Sequence, residues 1–369
     1  MSEANVKRAQ PAAGGKTIVI MAGGTGGHIM PGLAVADHLR DASWKIVWMG
    51  NPDGMEARLV PARRYEMAWV RFSALRGKGI LRKLLLPFNL LRGFWQAWKA
   101  FGRIKPDVVL GLGGFISFPG GMMAALRGIP LVLHEQNSIA GLANKVLAGV
   151  ADRVLTGFPD VLKKGQWVGN PVRPDIAVLP APTFAQDTQE SPSPNRLHVL
   201  VLGGSLGAQA LNENVPKALA LLPEEERPEI VHQSGEKHLE ALRSAYAAAG
   251  VKAHTVAFIE DMAGAYAWAD LVICRAGALT IAELACAGVA SILVPFPHAV
   301  DDHQTTNARF LASAGAAILL PQNELTPERL ALIRDLKRPQ LHEMAEKARA
   351  LAMPDATSMV AKTCEEVSK

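Results

Sequence analysis

Three groups of residues in this 369-residue chain have types and spacings that could do chemistry. Thr280 and Glu283 follow the small-residue break Arg275-Ala276-Gly277 at the end of an apolar run. A carboxylate offers only acceptors and suits two adjacent hydroxyls of a sugar such as ribose, and the free amides at a helix start suit a phosphate. Thr280-x-x-Glu283 is equally the pattern of a capping box, with a helix starting at Thr280, which needs no ligand. His28 closes the run GGTGGH at residues 23–28. An imidazole beside backbone amides can take a proton from a hydroxyl near neutral pH, although a lone histidine is as readily a structural hydrogen-bonder. Asp301-Asp302-His303-Gln304 forms the third group, after an apolar strand, where open α/β sheets place polar ligand contacts.

Elements able to position these groups are legible around them. Residues 16–22 (KTIVIMA) form an apolar, β-branched strand, followed by the glycine run and helical periodicity from Pro31 to Leu39. This is the opening of a βαβ unit. It is neither a dinucleotide fingerprint, since Ile29 stands where a third glycine or alanine is needed, nor a Walker loop, since no Gly-Lys-Ser/Thr follows. The opening recurs at residues 196–208, where RLHVLVL leads into GGSLGA and a helix, so two similar α/β domains are expected. Further strands are expected at 45–49, 107–112, 130–134, 230–233, 255–258, 270–274 and 290–294. Gly169-Asn170-Pro171-Val172-Arg173-Pro174 stops regular structure and marks an interdomain connection. Residues 180–195, rich in Pro, Ser, Thr and Gln, read as a surface excursion.

Composition limits the function classes. Apolar residues make up 49% and charged residues 20%, a globular balance, and no run of about 20 apolar residues provides a spanning helix. Cys274, Cys286 and Cys364 are widely spaced and read as buried thiols of a reducing compartment, with neither metal-ligand nor disulfide spacing. The first 16 residues are polar and carry no secretory signal. Residues 70–104 differ in kind: eight Arg and Lys side chains are interleaved with Leu, Phe and Trp, and no acidic residue interrupts them. Such a segment suits an anionic lipid surface; the alternative is an amphipathic helix whose basic face is merely solvated. Nucleic acid is not expected as a partner, because no reading motif accompanies the charge.

Taken together, the motifs carry a resemblance. GGTGGH, the GGFISFPG turn at 113–120, HEQN at 134–137, GNPVR at 169–173, GGSLGA at 203–208, FIEDM at 258–262, RAGALTIAE at 275–283 and DDHQ at 301–304 occur in order across both halves. In this the chain resembles the peptidoglycan N-acetylglucosaminyltransferases of glycosyltransferase family 28. The resemblance implies a GT-B fold: two Rossmann-like parallel-sheet domains facing an interdomain cleft. It implies an acceptor- and membrane-binding domain at 17–172, a donor domain at 173–351, and a last helix, about 352–369, packing back on the first. The implied reaction is inverting transfer from UDP-N-acetylglucosamine to the muramic acid C4 hydroxyl of a lipid-linked muramyl-pentapeptide. The implied location is peripheral, on the cytoplasmic side of the cell inner membrane.

The resemblance also implies site residues. His28 would be the base, with Glu135 behind it. Ser205 and its turn would face the donor diphosphate, Ile259 the uracil and Glu283 the ribose. Ala278, Leu279, Thr280 and Gln304 would contact phosphate or sugar, and Asn137 and Arg173 would reach the donor from across the cleft. Thr25, Gly26 and Gly27 would lie near both substrates, while Gly24, Gly113, Gly114 and Ser117 would hold the acceptor. No cofactor or metal is expected beyond non-specific stimulation by divalent cation, since no Asp-x-Asp motif occurs. A UDP-N-acetylglucosamine epimerase of the same architecture is the alternative; it would keep the donor half but need no lipid surface.

Overall fold

The computed structural model describes residues 15–72, 86–180, 196–204 and 207–368. Ser205, residues 73–85 of the basic segment, residues 181–195 and most of the leading extension lie outside these. The chain forms two compact units, one of residues 1–136, 140–171 and 355–369, the other of 137–139 and 172–354.

The first unit is built on seven strands: β1 Thr17–Met21, β2 Lys45–Gly50, β3 Glu66–Trp69, β4 Val108–Gly111, β5 Leu131–Glu135, β6 Arg153–Thr156 and β7 Gln166–Trp167. They pair in parallel in the order β3-β2-β1-β4-β5-β6-β7. The chain therefore leaves β1 in one direction and returns to the other side at β4, which makes the carboxyl ends of β1 and β4 the topological switch point. Both faces are covered, as an all-parallel sheet requires, so its strands read as unbroken apolar runs. Ile18 and Ile20 point to one core with Leu33, Val35 and Trp48; Val19 and Met21 point to the other with Ala97, Phe101 and Ala124. Gly32 lets helix Gly26–Asp41 close on the Trp48 ring, since a β-carbon there would lie 2.7 Å from it. The terminal helix Ala356–Val367 completes the first of these cores with Val360, Ala361 and Cys364, and Lys16 Nζ donates to Ser368 Oγ at 2.7 Å.

The second unit repeats the plan with β8 His198–Leu202, β9 Glu229–Gln233, β10 His254–Val256, β11 Leu271–Cys274, β12 Ala290–Leu293 and β13 Ala317–Leu319. Their order is β10-β9-β8-β11-β12-β13, again all parallel, with the switch point between β8 and β11. The turns that follow β1, β4, β8 and β11 are the glycine-rich motifs of the sequence, so both units put them where α/β sheets bind ligands.

Candidate functional site

In the first unit β1 runs into Ala22-Gly23-Gly24-Thr25, and helix Gly26–Asp41 begins at once. Thr25 is an extended N-cap whose side chain makes no capping bond. The Gly26 and Gly27 amides are therefore among the first-turn donors that a helix cannot satisfy internally. Gly24 is different. Its N–H donates to Glu56 Oε2 at 3.1 Å, and the Asn51 N–H donates to Glu56 Oε1 at 3.0 Å. Glu56 is 1% exposed, so a buried carboxylate stands behind the turn. The Gly24 amide, expected to hold the acceptor diphosphate, instead donates to this carboxylate. Nothing in the sequence marks Glu56, which lies in an aperiodic stretch beyond β2.

The turn after β4 packs directly on the first. Gly114, at φ +79°, lies so close to Gly23 that a β-carbon would come within 2.3 Å of its carbonyl oxygen. Gly113, at φ +98°, leaves room for the His28 ring. Ser117, expected at the acceptor, is instead fully buried. Its hydroxyl lies 2.7 Å from Gly113 O and 3.0 Å from Met21 O, and it accepts from the Gly113 N–H at 3.1 Å. It pins the turn to the end of β1 and has no free side for a ligand.

His28 is half-buried in the first turn of its helix, and its Nδ1 lies 2.7 Å from Gln136 Oε1. Gln136 Nε2 lies 3.0 Å from both His134 Nδ1 and His134 O, and His134 Nε2 lies 2.9 Å from Gly169 O. Asn170 Nδ2 donates to Gln136 O at 3.0 Å. Three separated motifs thus meet in one buried network. Burial pushes the His134 imidazole down to about 4, against the opposing bond to Gly169, so it stays neutral. Glu135, expected behind His28, accepts from Asn144 Nδ2 at 2.8 Å and from the Gly141 N–H at 3.2 Å, tying down the start of helix Leu142–Leu147. The neighbour bonded to His28 is Gln136, one residue along, on the opposite face of the extended chain.

In the second unit Gly204 and Gly207, both at φ +76°, turn the chain from β8 into helix Gln209–Ala220. A β-carbon on Gly207 would strike Ser234 O at 2.1 Å, so only glycine fits. Helix Ala278–Ala287 follows β11 with Gly277 as its extended N-cap. The helix thus starts two residues before Thr280, and the capping-box reading fails: Thr280 sits within the first turn and Glu283 in the second. The amides of Ala278, Leu279 and Thr280 are the unsatisfied first-turn donors there.

The Glu283 side chain is 16% exposed and is held from two sides. Tyr266 OH donates to its Oε2 at 3.0 Å, and Arg173 Nη2 lies 3.5 Å from its Oε1. Burial raises the carboxyl above its ordinary range, opposed by the Arg173 charge and the Tyr266 hydroxyl. Arg173 therefore belongs to the same unit as Glu283 and does not reach it from the other half, because the chain has already crossed at Pro171. Asn137 likewise groups with the second unit: Asn307 Nδ2 donates to Asn137 Oδ1 at 3.4 Å, while Ser138 Oγ donates to Asn307 Oδ1 at 2.7 Å. Gln304 Oε1 accepts from the Phe296 N–H at 2.9 Å, fixing the turn after β12. Ile259 is half-buried in the turn after β10. Tyr266 was not foreseen, since a tyrosine inside a short apolar helix gives no signal of a polar partner.

Two family models match the chain: the glycosyltransferase family 28 N-terminal domain over residues 18–156 and the family 28 C-terminal domain over residues 198–361. The chain belongs to glycosyltransferase family 28. Among its relatives is the UDP-N-acetylglucosamine--N-acetylmuramyl-(pentapeptide) pyrophosphoryl-undecaprenol N-acetylglucosamine transferase of Dechloromonas aromatica, 71% identical over 96% of this chain and 99% of the relative. The protein of that description from Azoarcus sp. is 69% identical over the same shares. The crystal structure of Acinetobacter baumannii MurG matches with a TM-score of 0.81 and 42% identity, covering 95% of this chain and 99% of that one. The family 28 fold is thus the GT-B arrangement of two Rossmann-like domains. The UDP-GlcNAc 2-epimerase of Neisseria meningitidis matches at a TM-score of 0.61 but at 12% identity over 95% of this chain and 100% of that one, which shows shared fold alone. The epimerase alternative accordingly gives way to the transferase.

Proposed function

We infer that this chain is the N-acetylglucosaminyltransferase that converts undecaprenyl-pyrophosphoryl-N-acetylmuramyl-pentapeptide to its disaccharide form, using UDP-N-acetylglucosamine. The observation that carries the reading is the match at 71% identity over 96% of the chain to a transferase of that description. The residues suit the chemistry. The acceptor C4 hydroxyl attacks the donor anomeric carbon, the bond from that carbon to the UDP oxygen breaks, and the hydroxyl proton passes to His28. UDP leaves with its charge met by the first-turn amides of Ala278, Leu279 and Thr280, a neutralisation that a helix N-terminus can supply without a metal. Glu283, positioned by Tyr266 and Arg173, takes the ribose hydroxyls.

The acceptor's polyprenyl chain confines it to a bilayer, so the enzyme works at a membrane surface, which we assign to the cytoplasmic side of the inner membrane. None of the described helices is long and apolar enough to cross a membrane. Support for surface binding comes from helix Leu86–Ile104, whose Ala97 and Phe101 enter the core while Phe88 is 70% and Trp95 60% exposed. Lys99 Nζ lies over the Trp95 ring at 4.9 Å, and the Arg127 guanidinium over Trp98 at 4.0 Å. The outward face is therefore apolar and basic together, which favours anionic lipid over a merely solvated basic face.

The test is transfer of labelled N-acetylglucosamine to a short-chain lipid-linked muramyl acceptor, where absence of product overturns the reading. His28→Ala is expected to lower turnover by about 10²–10⁴ with UDP-N-acetylglucosamine binding intact. Vesicles containing anionic lipid should bind the wild type, less so at high salt, and bind Phe88→Asp/Trp95→Asp poorly.

A further inference from the structure

The donors and acceptors around Gln136 can be assigned by elimination. A backbone carbonyl only accepts, so the end of the Gln136 amide lying 3.0 Å from His134 O must be the NH2. Its second hydrogen points at His134 Nδ1, also at 3.0 Å. That nitrogen has a lone pair to offer because His134 Nε2 faces Gly169 O at 2.9 Å and must carry the proton there. Two hydrogens meet two acceptors, and the amide cannot be turned round. Oε1 is then left facing His28 Nδ1 at 2.7 Å, and a carbonyl oxygen admits only an N–H at that distance. Asn170 holds the Gln136 backbone from behind, and both His134 and Gln136 are almost wholly buried.

We propose that Gln136 is a positioning residue that holds His28 in its Nδ1–H tautomer, so that Nε2 presents the lone pair that accepts the proton of the sugar hydroxyl. The proposal rests on the reading of His28 as the base. Free histidine prefers its proton on Nε2, the tautomer that could not serve, so the network reverses an intrinsic preference. In the reaction the acceptor oxygen bonds to the donor carbon, UDP departs with the bonding electrons, and the proton arrives at Nε2. The resulting imidazolium keeps its Nδ1–H on Gln136. His134, Gly169 and Asn170 act through Gln136, which gives a role to the contacts that join GGTGGH, His134 to Gln136 and GNP within the first unit.

The tautomer is read directly by ¹⁵N spectra of wild-type enzyme labelled at histidine, with the His28 signal identified by its loss in His28→Ala. A protonated Nδ1 and an unprotonated Nε2 on His28 are expected at neutral pH; the opposite pattern, or a mixture of the two, overturns the proposal. Gln136→Met keeps the side-chain length without the carbonyl. Provided its circular dichroism matches wild type, it should shift His28 toward Nε2–H and lower kcat by roughly 10- to 100-fold, within the range of general-base catalysis, at unchanged KM for UDP-N-acetylglucosamine. A folded Gln136→Met with wild-type kcat overturns the proposal, and so does one with an unmoved His28 tautomer. If instead the tautomer is as expected while His28→Ala retains its rate, it is the reading of His28 as base that fails, and with it the catalytic meaning of Gln136.

Discussion

Replacing Gly113 by alanine should separate backbone strain from displacement of the His28 imidazole, the base proposed above. At φ +98° a β-carbon is strained wherever it points, at a cost of about 1–3 kcal/mol. At about 2–4 °C per kcal/mol for a unit of this size, the melting temperature should fall by roughly 2–12 °C. The new β-carbon would also lie 2.9 Å from His28 Nδ1 and 3.0 Å from Cε1. Contact distances between such atoms are about 3.5 Å, so the ring must retreat by roughly half an ångström. Its Nδ1 is the atom held 2.7 Å from Gln136, and misplacing a reacting group by about 1 Å can cost about 100-fold. A loss of about 10-fold in kcat follows, with donor KM unchanged. Gly128→Ala is the control: it too has positive φ, +62°, but nothing lies within 4 Å of its β-carbon, so stability should drop while kcat holds. Steady-state transfer rates and melting curves on both variants decide the matter. Equal kcat in the two would refute the idea that Gly113 exists to seat the His28 ring.

Other expectations follow from the charges. Glu283→Gln should weaken UDP-N-acetylglucosamine binding by about 10- to 100-fold, the worth of charge-assisted hydrogen bonds of about 1.5–3 kcal/mol, as measured by calorimetry. Because the Glu283 carboxyl is raised by burial, it protonates at higher pH than an ordinary carboxylate. Donor affinity of the wild type should therefore decline at a higher pH than an ordinary carboxylate would impose, and a decline as steep in Glu283→Gln would assign it elsewhere. Stability should fall in acid for a separate reason. Burial lowers His134 to about 4 and His232 to about 3, so below about pH 6.5 the unfolded chain binds protons that the folded one refuses. Stability present above that pH is lost as pH falls, by about 2–3 kcal/mol in each unit at pH 4.5. Denaturant midpoints unchanged between pH 7 and 4.5 would contradict this.

Much of the architecture was legible because parallel strands buried on both faces must be apolar throughout and must end in turn residues. The strands at β1, β2, β4, β5, β8, β9, β11 and β12 are such runs, and their glycine turns mark both switch points. Three of the four edge strands were not: β3, β7 and β13 are two to four residues long and partly exposed, with too little pattern to distinguish them from loop, whereas the edge strand β10 was expected at 255–258. The basic, acid-free character of the helix Leu86–Ile104 is a matter of composition, and composition survives folding.

Residue types and their order were enough to place His28 and Glu283 at the ends of strands beside helix starts, because that placement is set by local chain geometry. Which atoms those side chains face was decided only by the tertiary structure. Glu56 taking the Gly24 amide, Ser117 turned into the core, Gln136 rather than Glu135 against His28, and Tyr266 with Arg173 on Glu283 join residues from 4 to 110 positions apart. A hydrogen bond depends on distances of a few tenths of an ångström, and such distances between remote segments come into being only when the sheets and helices pack.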